Sequence, residues 1–273
     1  MNWSKVKSIM IAFLILVNLS LLSYIVFEEI SDNKRISKMT DTTVSLLATQ
    51  DIKVDEKLVL DSAKKKTANS LYVDNVISDY KSFSNSIIGG EITSVNADKY
   101  KSENGEVTFK GDYFSAVSSE GNFLYREKIT KSNALRISEK YLDELGFDTK
   151  NSEKNITEEN NIIKVSFNKE IDNLPVFKTG VTLQMNESGI ISFYGSWYNI
   201  SEQNSSIAEL KSISGVLVEY MNKKSGASII SDIRLGYLVP EFGTFHESVL
   251  LTPVWKITDD NNDTVYIDAR ENN

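Results

Sequence analysis

The chain has 273 residues, of which 41% are hydrophobic and 25% charged, as in a folded protein with one large or two moderate domains. Its formal net charge of −8, with no dense basic cluster, makes nucleic acid and anionic polymers poor partners. It contains no cysteine, which excludes disulfides, zinc–thiolate sites, thiol nucleophiles and lipoprotein acylation.

The first predicted element is a membrane helix. The run from Ser8 to Phe27 carries no charge, and its ~20 residues, rising ~1.5 Å each, are enough to cross a hydrocarbon core of ~30 Å. A cleaved signal peptide has a shorter apolar stretch, followed by a small-x-small cleavage site. Here Glu28 and Glu29 follow the run directly. The sequence therefore predicts an uncleaved transmembrane anchor over residues 8–27.

The charges on either side of this run predict its orientation. Lys5 and Lys7 precede it, whereas Glu28, Glu29 and Asp32 follow it. Basic residues before a first membrane helix usually keep that end in the cytoplasm. We therefore expect a single-pass protein of the cell membrane, with a cytoplasmic tail over residues 1–7 and the bulk of the chain extracellular. An exported domain without disulfides suits a bacterial surface.

Three polar side chains inside the run are candidate contacts with a partner helix: Asn18, Ser20 and Ser23. An amide near the middle of a bilayer is costly unless it finds a hydrogen-bonding partner. For Asn18 we favour a bond to another helix, because the anchor does not need it. For Ser20 and Ser23, which lie close to the opposite face, we favour a bond back to their own helix.

The next stretch, residues 28–128, is predicted to form a membrane-proximal α+β domain. Residues 31–51 favour a helix that continues out of the membrane, the alternative being a stalk. The lysines of 64–66 are typical of a solvated surface. Beyond residue 70 the pattern indicates strands and turns, with short alternating segments at 106–109 and 122–125 separated by glycines.

The C-terminal domain, residues 129–273, shows a spacing that suggests an internal duplication. A first helix is predicted from Thr130 to Gly146 and a second from Ser205 or Ser206 to Gly226. The two glycines are 80 positions apart, and two Pro-Val-aromatic-Lys segments, beginning at Pro175 and Pro253, are 78 apart. Each helix is followed by three predicted strands, at 162–167, 175–178 and 190–194 and at 229–239, 253–256 and 264–268.

The predicted fold class is thus α+β. Each repeat unit, about 129–200 and 205–269, is expected to lay one helix on a three-stranded antiparallel sheet. This arrangement resembles PepSY-type modules, which occur in exported inhibitory or regulatory proteins.

No segment indicates an enzyme. The one histidine, His246, precedes Glu247 and Ser248, but neighbouring residues of an extended chain point to opposite faces and do not converge into a catalytic group. The acidic run Asp259–Asp263 resembles a calcium loop in composition without the spacing of an EF-hand, and a hairpin turn is the simpler interpretation. We expect no catalytic residue, cofactor or metal.

Several short stretches resemble one family. They are Asn2–Lys7 running directly into an anchor with Asn18, then Leu174–Phe177, Ser188–Tyr194 and Leu251–Trp255. Together they resemble the WalI (YycI) proteins, membrane-anchored auxiliary proteins of the WalK/WalR two-component system in low-GC Gram-positive bacteria. The resemblance implies a non-enzymatic regulator that acts with a paralogous WalH (YycH) partner on a sensor histidine kinase controlling cell-wall metabolism.

The leading hypothesis from the sequence is therefore an accessory regulator that contacts a WalK-like kinase and a WalH-like protein through its transmembrane and extracellular parts. The alternative is a surface-anchored sensor that binds a ligand or peptide independently of a kinase.

Overall fold

The computed structural model describes residues 3–119, 128–201, 206–224, 226–239 and 248–271. The helices in these residues are α1 (Trp3–Ala48), α2 (Glu56–Ala63), α3 (Tyr80–Ile88), α4 (Lys131–Glu144) and α5 (Ile213–Lys223). The strands are β1 (Ile52–Val54), β2 (Thr67–Asn75), β3 (Thr93–Asn96), β4 (Lys99–Lys101), β5 (Gly105–Lys110), β6 (Tyr113–Ser118), β7 (Ser152–Glu159), β8 (Ile162–Ile171), β9 (Leu174–Phe177), β10 (Gly180–Asn186), β11 (Gly189–Ser196), β12 (Tyr198–Ile200), β13 (Ser206–Glu209), β14 (Ser228–Leu238), β15 (Val249–Asp259) and β16 (Thr264–Asp268).

The chain divides into two compact units. Unit 1 combines Met1–Lys66, Lys211–Arg234 and Lys256–Ile267, and unit 2 combines Thr67–Leu210, Leu235–Trp255 and Asp268–Asn273. Residue 128, where the sequence predicts a domain boundary, lies inside unit 2. The division into a membrane-proximal and a C-terminal domain stays a prediction.

Unit 1 is built around the carboxyl end of α1, which packs against α2, α5 and β1. Strand β1 pairs in parallel with the start of β14, with Ile52 opposite Ser228. Helix α5 presents buried residues three and four positions apart, the spacing of one helical face. These residues are Ile213, Val216, Leu217 and Tyr220.

Helix α1 is one uninterrupted helix of 46 residues. The predicted helix after the apolar run is therefore confirmed as far as Ala48. At its carboxyl end Leu47 is completely buried, whereas apolar residues of the earlier run, such as Leu16 and Phe27, are exposed. The two ends of the same helix thus meet different surroundings.

Unit 2 contains an antiparallel sheet in the strand order β7-β8-β10-β11-β6-β5-β4-β3. Helix α3 packs against β4, β5 and β6, and α4 packs against β7 and β8. Inward residues alternate along the strands, as in β8, where Ile163, Val165 and Phe167 are buried. In unit 2 the sheet continues beyond β8 through β9, the end of β14, the start of β15, β2 and β12, in that order.

An aromatic cluster lies in the core that the sheet and the two helices of unit 2 share. Phe114 on β6 makes edge-on contacts with Phe193 on β11 and Phe83 on α3, with ring centroids 4.6 and 5.0 Å apart. Phe147, just after α4, adds an edge-on contact to Phe193 at 5.6 Å. Such pairs contribute roughly 0.5–1.5 kcal/mol each beyond the area they bury.

Helix α4 confirms the first predicted helix. Thr130 is its N-cap, and the Asn133 side chain accepts a hydrogen bond from the Thr130 backbone N–H at 2.7 Å. Gly146 follows the helix with φ of +84°. The Phe147 N–H then bonds to the Leu142 carbonyl at 2.9 Å, which closes the helix.

The second predicted helix is wrong in its boundaries. Residues Ser206–Glu209 form β13, which pairs antiparallel with β2, and the helix begins only at Ile213. Ser212 is its N-cap, accepting a bond from the Gly215 N–H, and the helix ends at Lys223 rather than Gly226. Pairing with a distant strand overrides the local capping signal of Ser206.

The predicted three strands after the first helix are also wrong in number, because seven strands, β7 to β13, lie between α4 and α5, and six of them, β7 to β12, fall within the predicted repeat unit 129–200. Pro175 lies in the short β9, opposite Glu170 at the end of β8. Pro253 lies inside the eleven-residue β15. The two Pro-Val-aromatic segments therefore do not occupy equivalent places, and their spacing does not support the duplication.

Other strands agree with the predictions within a few residues. Strands β5 and β11 cover the predicted strands at 106–109 and 190–194, β14 ends one residue before the end of the predicted strand at 229–239, and β16 has the predicted bounds. The predicted strand at 122–125 lies outside the described residues.

Candidate functional site

The apolar half of α1 is the first part of the candidate site. Within the described chain, one helical stretch, Phe13–Ala48, is long and apolar enough to cross a membrane, and no residue of its most apolar window is buried in the protein. An apolar helix with every side exposed needs other apolar surroundings, which lipid or other helices provide.

The three predicted contact residues lie on this exposed half. The Asn18 side-chain amide donates a hydrogen bond to the Leu14 carbonyl at 2.9 Å, and the Ser23 hydroxyl donates to the Leu19 carbonyl at 2.8 Å. Both bonds stay within α1 and span four residues, as expected for polar side chains in an apolar helix. Ser20 is also exposed.

Asn18 keeps hydrogen-bonding capacity after this bond. A side-chain amide carries two N–H donors and a carbonyl acceptor with two lone pairs, and the bond to Leu14 uses a single donor. The remaining donor and the acceptor belong to a residue that is exposed. Its role in partner contact stays a prediction.

A charged cluster follows the apolar run on α1. Asp32 accepts a hydrogen bond from Lys66, with 2.9 Å between Nζ and Oδ2, and Arg35 approaches the same carboxylate at 3.5 Å. The bond from Lys66, followed by its charge, holds the pKa of Asp32 below its usual value. Lys64 pairs separately with Asp61 at 2.8 Å. Two of the three predicted surface lysines thus tie the end of α2 and the segment after it to nearby carboxylates.

The carboxyl end of α1 is held by the fold of unit 1. Thr40 and Thr43 are buried, with 1% and 5% of their surfaces exposed. The Thr43 hydroxyl lies 2.8 Å from both the Met39 carbonyl and the Ser214 hydroxyl of α5. Leu47 is completely buried one turn further on. This end is therefore embedded in a folded unit, with no joint between it and the apolar half.

The acidic turn that resembled a calcium loop is filled by a lysine. Lys224 lies 2.6 Å from the Asp259 carboxylate and 3.0 Å from that of Asp263. The second oxygen of Asp259 accepts bonds from the backbone N–H groups of Asn261 and Asp263. These contacts lower the pKa of Asp259 and raise that of Lys224. The carboxylates thus close a hairpin turn around an ammonium group.

The rest of the described chain offers little to a metal ion or to catalysis. There, no group of three or more His, Cys, Asp or Glu residues is arranged to hold a metal ion. His246 and Glu247, which the sequence analysis considered as a possible catalytic group with Ser248, lie outside the described residues. The hydroxyl of Ser248 donates to the Asp74 carboxylate at 2.5 Å, within unit 2.

A buried lysine in unit 2 was not predicted. Lys169 is 2% exposed, and its ammonium donates to the Asp148 carbonyl at 3.0 Å. It also lies 5.2 Å from the centroid of the Trp197 ring, within the range of a cation–π contact. Burial lowers the pKa of Lys169. Its inward place on β8, in line with Val165 and Phe167, is visible only once the strand register is known.

No known family profile and no curated protein matches this sequence. Among solved structures, it is similar to an uncharacterized protein from Eubacterium rectale, with 14% identity and a TM-score of 0.46 over 77% of this chain and 85% of that one. It is similar to YycH from Bacillus subtilis, with 16% identity and a TM-score of 0.46 over 74% of this chain and 52% of that one. A third is the C-terminal domain of YpeB from Bacillus megaterium, at 12% identity and a TM-score of 0.29 over 72% of this chain and 94% of that one.

Proposed function

We propose that this protein is a non-enzymatic accessory regulator, anchored in the cell membrane, that modulates a WalK-like sensor histidine kinase together with a WalH (YycH)-like partner. In this proposal residues 1–7 are cytoplasmic, residues 8–27 cross the membrane, and the rest of the chain is extracellular. The proposal starts from the resemblance of the opening residues Asn2–Lys7 and the anchor to the WalI family.

The observation that carries the proposal is the continuity of α1. The exposed apolar half and the buried carboxyl end belong to one helix, Trp3–Ala48. A tether would need only an apolar span and a flexible connection. A helix without a break instead passes the orientation of the span to unit 1, where Thr43 and Leu47 are held. That rigidity suits a protein whose extracellular part responds to, or changes, the arrangement of neighbouring membrane helices.

Regulation by such a protein is stoichiometric rather than catalytic. A kinase that exchanges between an active and an inactive state shifts toward whichever state the regulator binds better. A bias of about 1.4 kcal/mol between the two states changes their ratio about tenfold. Contacts along one membrane helix and one extracellular surface are enough for a bias of this size.

Asn18 is the proposed point of contact inside the membrane. Its free N–H and carbonyl would bond to a polar group on a helix of the kinase or of the WalH-like partner. Such interhelical bonds contribute about 0.6–2 kcal/mol each. The Asn18→Leu variant should therefore insert normally, copurify less well with the kinase, and change kinase output severalfold without abolishing regulation.

The deciding experiment compares Asn18→Leu with a chain whose span 8–27 is replaced by an unrelated apolar helix of equal length. Both are measured at equal surface level for copurification with the kinase and for kinase autophosphorylation in reconstituted membranes. Ser20→Ala is the matched control, because it alters a polar residue of the same helix that we do not assign to the contact. Normal regulation by both altered chains would refute a role for the anchor. An unchanged kinase in the presence of the intact protein would refute the function itself.

A further inference from the structure

Strand β7 lies at an open edge of the unit 2 sheet. It pairs with β8 along its whole length, from Ser152 opposite Lys169 to Glu159 opposite Ile162. Among the described residues no strand pairs with its other side. An eight-residue edge of this kind offers a row of backbone N–H and C=O groups to an added strand.

The register identifies which backbone groups are free. Asn160 and Asn161 form a two-residue turn with φ of +51° and +60°, so Glu159 and Ile162 are the hydrogen-bonded pair that closes the hairpin. Every second residue from Glu159 therefore bonds to β8. The residues between them, Lys154, Ile156 and Glu158, direct their N–H and C=O groups to the open side.

The two faces of β7 differ in their charges. On the side of α4, Lys154 pairs with Glu139 at 2.6 Å and Glu158 pairs with Lys131 at 3.8 Å, on either side of the half-buried Ile156. The acidic groups on this face are therefore already neutralised.

The opposite face carries unneutralised acid. Glu153 and Glu159 stand at its two ends, with Asn155 and Thr157 between them, and all four are exposed. Neither glutamate forms an ion pair within the described chain, and Glu153 accepts only a long bond from the amide of Asn168, at 3.3 Å.

We infer that the free edge of β7 binds an extended segment of a partner protein by strand addition, and that this segment carries basic residues opposite Glu153 and Glu159. Backbone bonds to Lys154, Ile156 and Glu158 supply the pairing, and the two glutamates supply the selectivity. Directly opposed charges of opposite sign favour a strand pair, and like charges disfavour it.

The same charges argue against a second copy of this chain as the occupant. In a symmetric antiparallel pair of β7 strands centred on Ile156, Glu153 of each copy would face Glu159 of the other. A parallel pair in register would place each glutamate opposite itself. Both arrangements bring the unneutralised glutamates together. The antiparallel pair would also place Lys154 opposite Glu158, but these two side chains are already paired with Glu139 and Lys131. The edge therefore favours a basic strand over a second copy.

The test uses the full chain in nanodiscs and a capped heptapeptide probe of sequence Lys-Val-Thr-Val-Thr-Val-Lys, with the same peptide bearing Glu at both ends as its counterpart. Binding is followed by calorimetry and by hydrogen exchange of the β7 amides. We expect the basic peptide to bind at least about tenfold more tightly than the acidic one. We also expect it to protect the amides of Lys154, Ile156 and Glu158.

Two variants separate backbone pairing from charge. Glu158→Pro removes one outward N–H without touching the bonds to β8, and should abolish binding, whereas Glu158→Ala keeps that N–H and should bind normally. The double variant Glu153→Lys, Glu159→Lys should exchange the preference to the acidic peptide. The inference would be overturned if Glu158→Pro bound the basic peptide as tightly as the intact chain does, or if the intact chain did not bind it. A concentration-dependent dimer that disappears in Glu158→Pro would overturn it in favour of a second copy.

Discussion

Lys66 holds Asp32 at 2.9 Å, so the segment that follows α2 is joined to α1 shortly after the apolar run ends. The two residues are 34 positions apart in sequence. Arg35 approaches the same carboxylate from one turn further along α1, at 3.5 Å. The contact thus brings a basic segment of unit 1 close to the exit of the proposed membrane span.

This contact predicts a cross-link in a chain that has no cysteine of its own. With Asp32→Cys and Lys66→Cys introduced together, a short bifunctional maleimide should join the two positions within one molecule, because their side chains are adjacent. The product is measured as a shift in gel mobility after cleavage of the chain between the two positions. Each single-cysteine chain is the control, and a yield no higher than theirs would contradict the contact.

The Lys224–Asp259 pair predicts an asymmetry between single and double variants. Lys224→Met leaves the buried carboxylate of Asp259 without its cation, whereas Lys224→Met with Asp259→Asn removes both charges. Breaking one partner of a buried pair costs more than replacing both. The single variant should therefore have the lower thermal midpoint, measured by circular dichroism at pH 7. A double variant with the lower midpoint would contradict this.

The same pair predicts how stability varies with pH. Because the pKa of Asp259 is lower in the folded state, its carboxylate stabilises that state at pH values above the pKa of the unfolded carboxyl, about 3.9. This stabilisation is lost as pH falls through the pKa of the folded state. The raised pKa of Lys224 gives stability below about 10.4 that is lost as pH rises further. The difference in free energy of unfolding between the intact chain and the double variant should thus be largest at neutral pH and become smaller in strong acid. A difference independent of pH would show that the charges contribute nothing.

Buried Lys169 predicts a contrast between two substitutions. Lys169→Met keeps an unbranched aliphatic side chain near Trp197 and removes a desolvated charge. The free energy of unfolding of this variant should therefore change by less than about 1 kcal/mol. Lys169→Ala leaves a cavity and should cost about 2 kcal/mol or more. Urea titration distinguishes the two outcomes, and equal losses in both variants would contradict a packing role.

The lowered pKa of Lys169 adds a pH signature. The unfolded chain binds this proton more tightly than the folded one, so the folded state gains stability as pH rises from the folded toward the unfolded value. The gain should be absent in Lys169→Met. Urea titrations of both chains between pH 7 and about pH 10 provide the measurement, and parallel pH profiles would show that Lys169 is not desolvated.

Gly195 predicts the most damaging small substitution in the sheet of unit 2. Its φ is +143°, and a Cβ there would lie 2.0 Å from the Gly180 carbonyl oxygen and 2.8 Å from the Val181 Cα on the paired strand β10. Because these are backbone atoms, the strands must move apart. Gly195→Ala should lower the free energy of unfolding by about 3 kcal/mol. Gly111→Ala, also at positive φ but with open space around it, is the control and should cost less.

Local sequence signals predicted those helices and strands whose local preference agrees with their tertiary contacts. The uncharged run gave α1, and the threonine cap and Gly146 gave α4. Helix α3 was missed because its serines and asparagine are weak helix formers, although Asp79 caps it through the Ser82 N–H. The strand β13 was read as helix because its partner, β2, is more than a hundred positions away.

The candidate site was predictable only in part. The polarity of Asn18 within an apolar run is visible in the sequence, as is the turn chemistry of Asp259–Asp263. The cation that fills this turn, Lys224, and the inward place of Lys169 both depend on strand register. The open edge of β7 depends on the order of strands in the sheet, which alternation of side chains does not encode.

Unit 1 is assembled from three stretches of chain that are far apart in sequence, and this sets the order in which the chain is able to fold. Ile52 pairs with Ser228, and α1 packs against α5. The beginning of the chain therefore cannot complete its contacts until segments near the end have been made. Until those segments have been made, Leu47 and Ile52 lack the residues that bury them in the folded protein. Folding therefore passes through an intermediate in which this apolar surface is exposed, and a chain truncated before residue 228 should remain in that state and be cleaved readily by added protease.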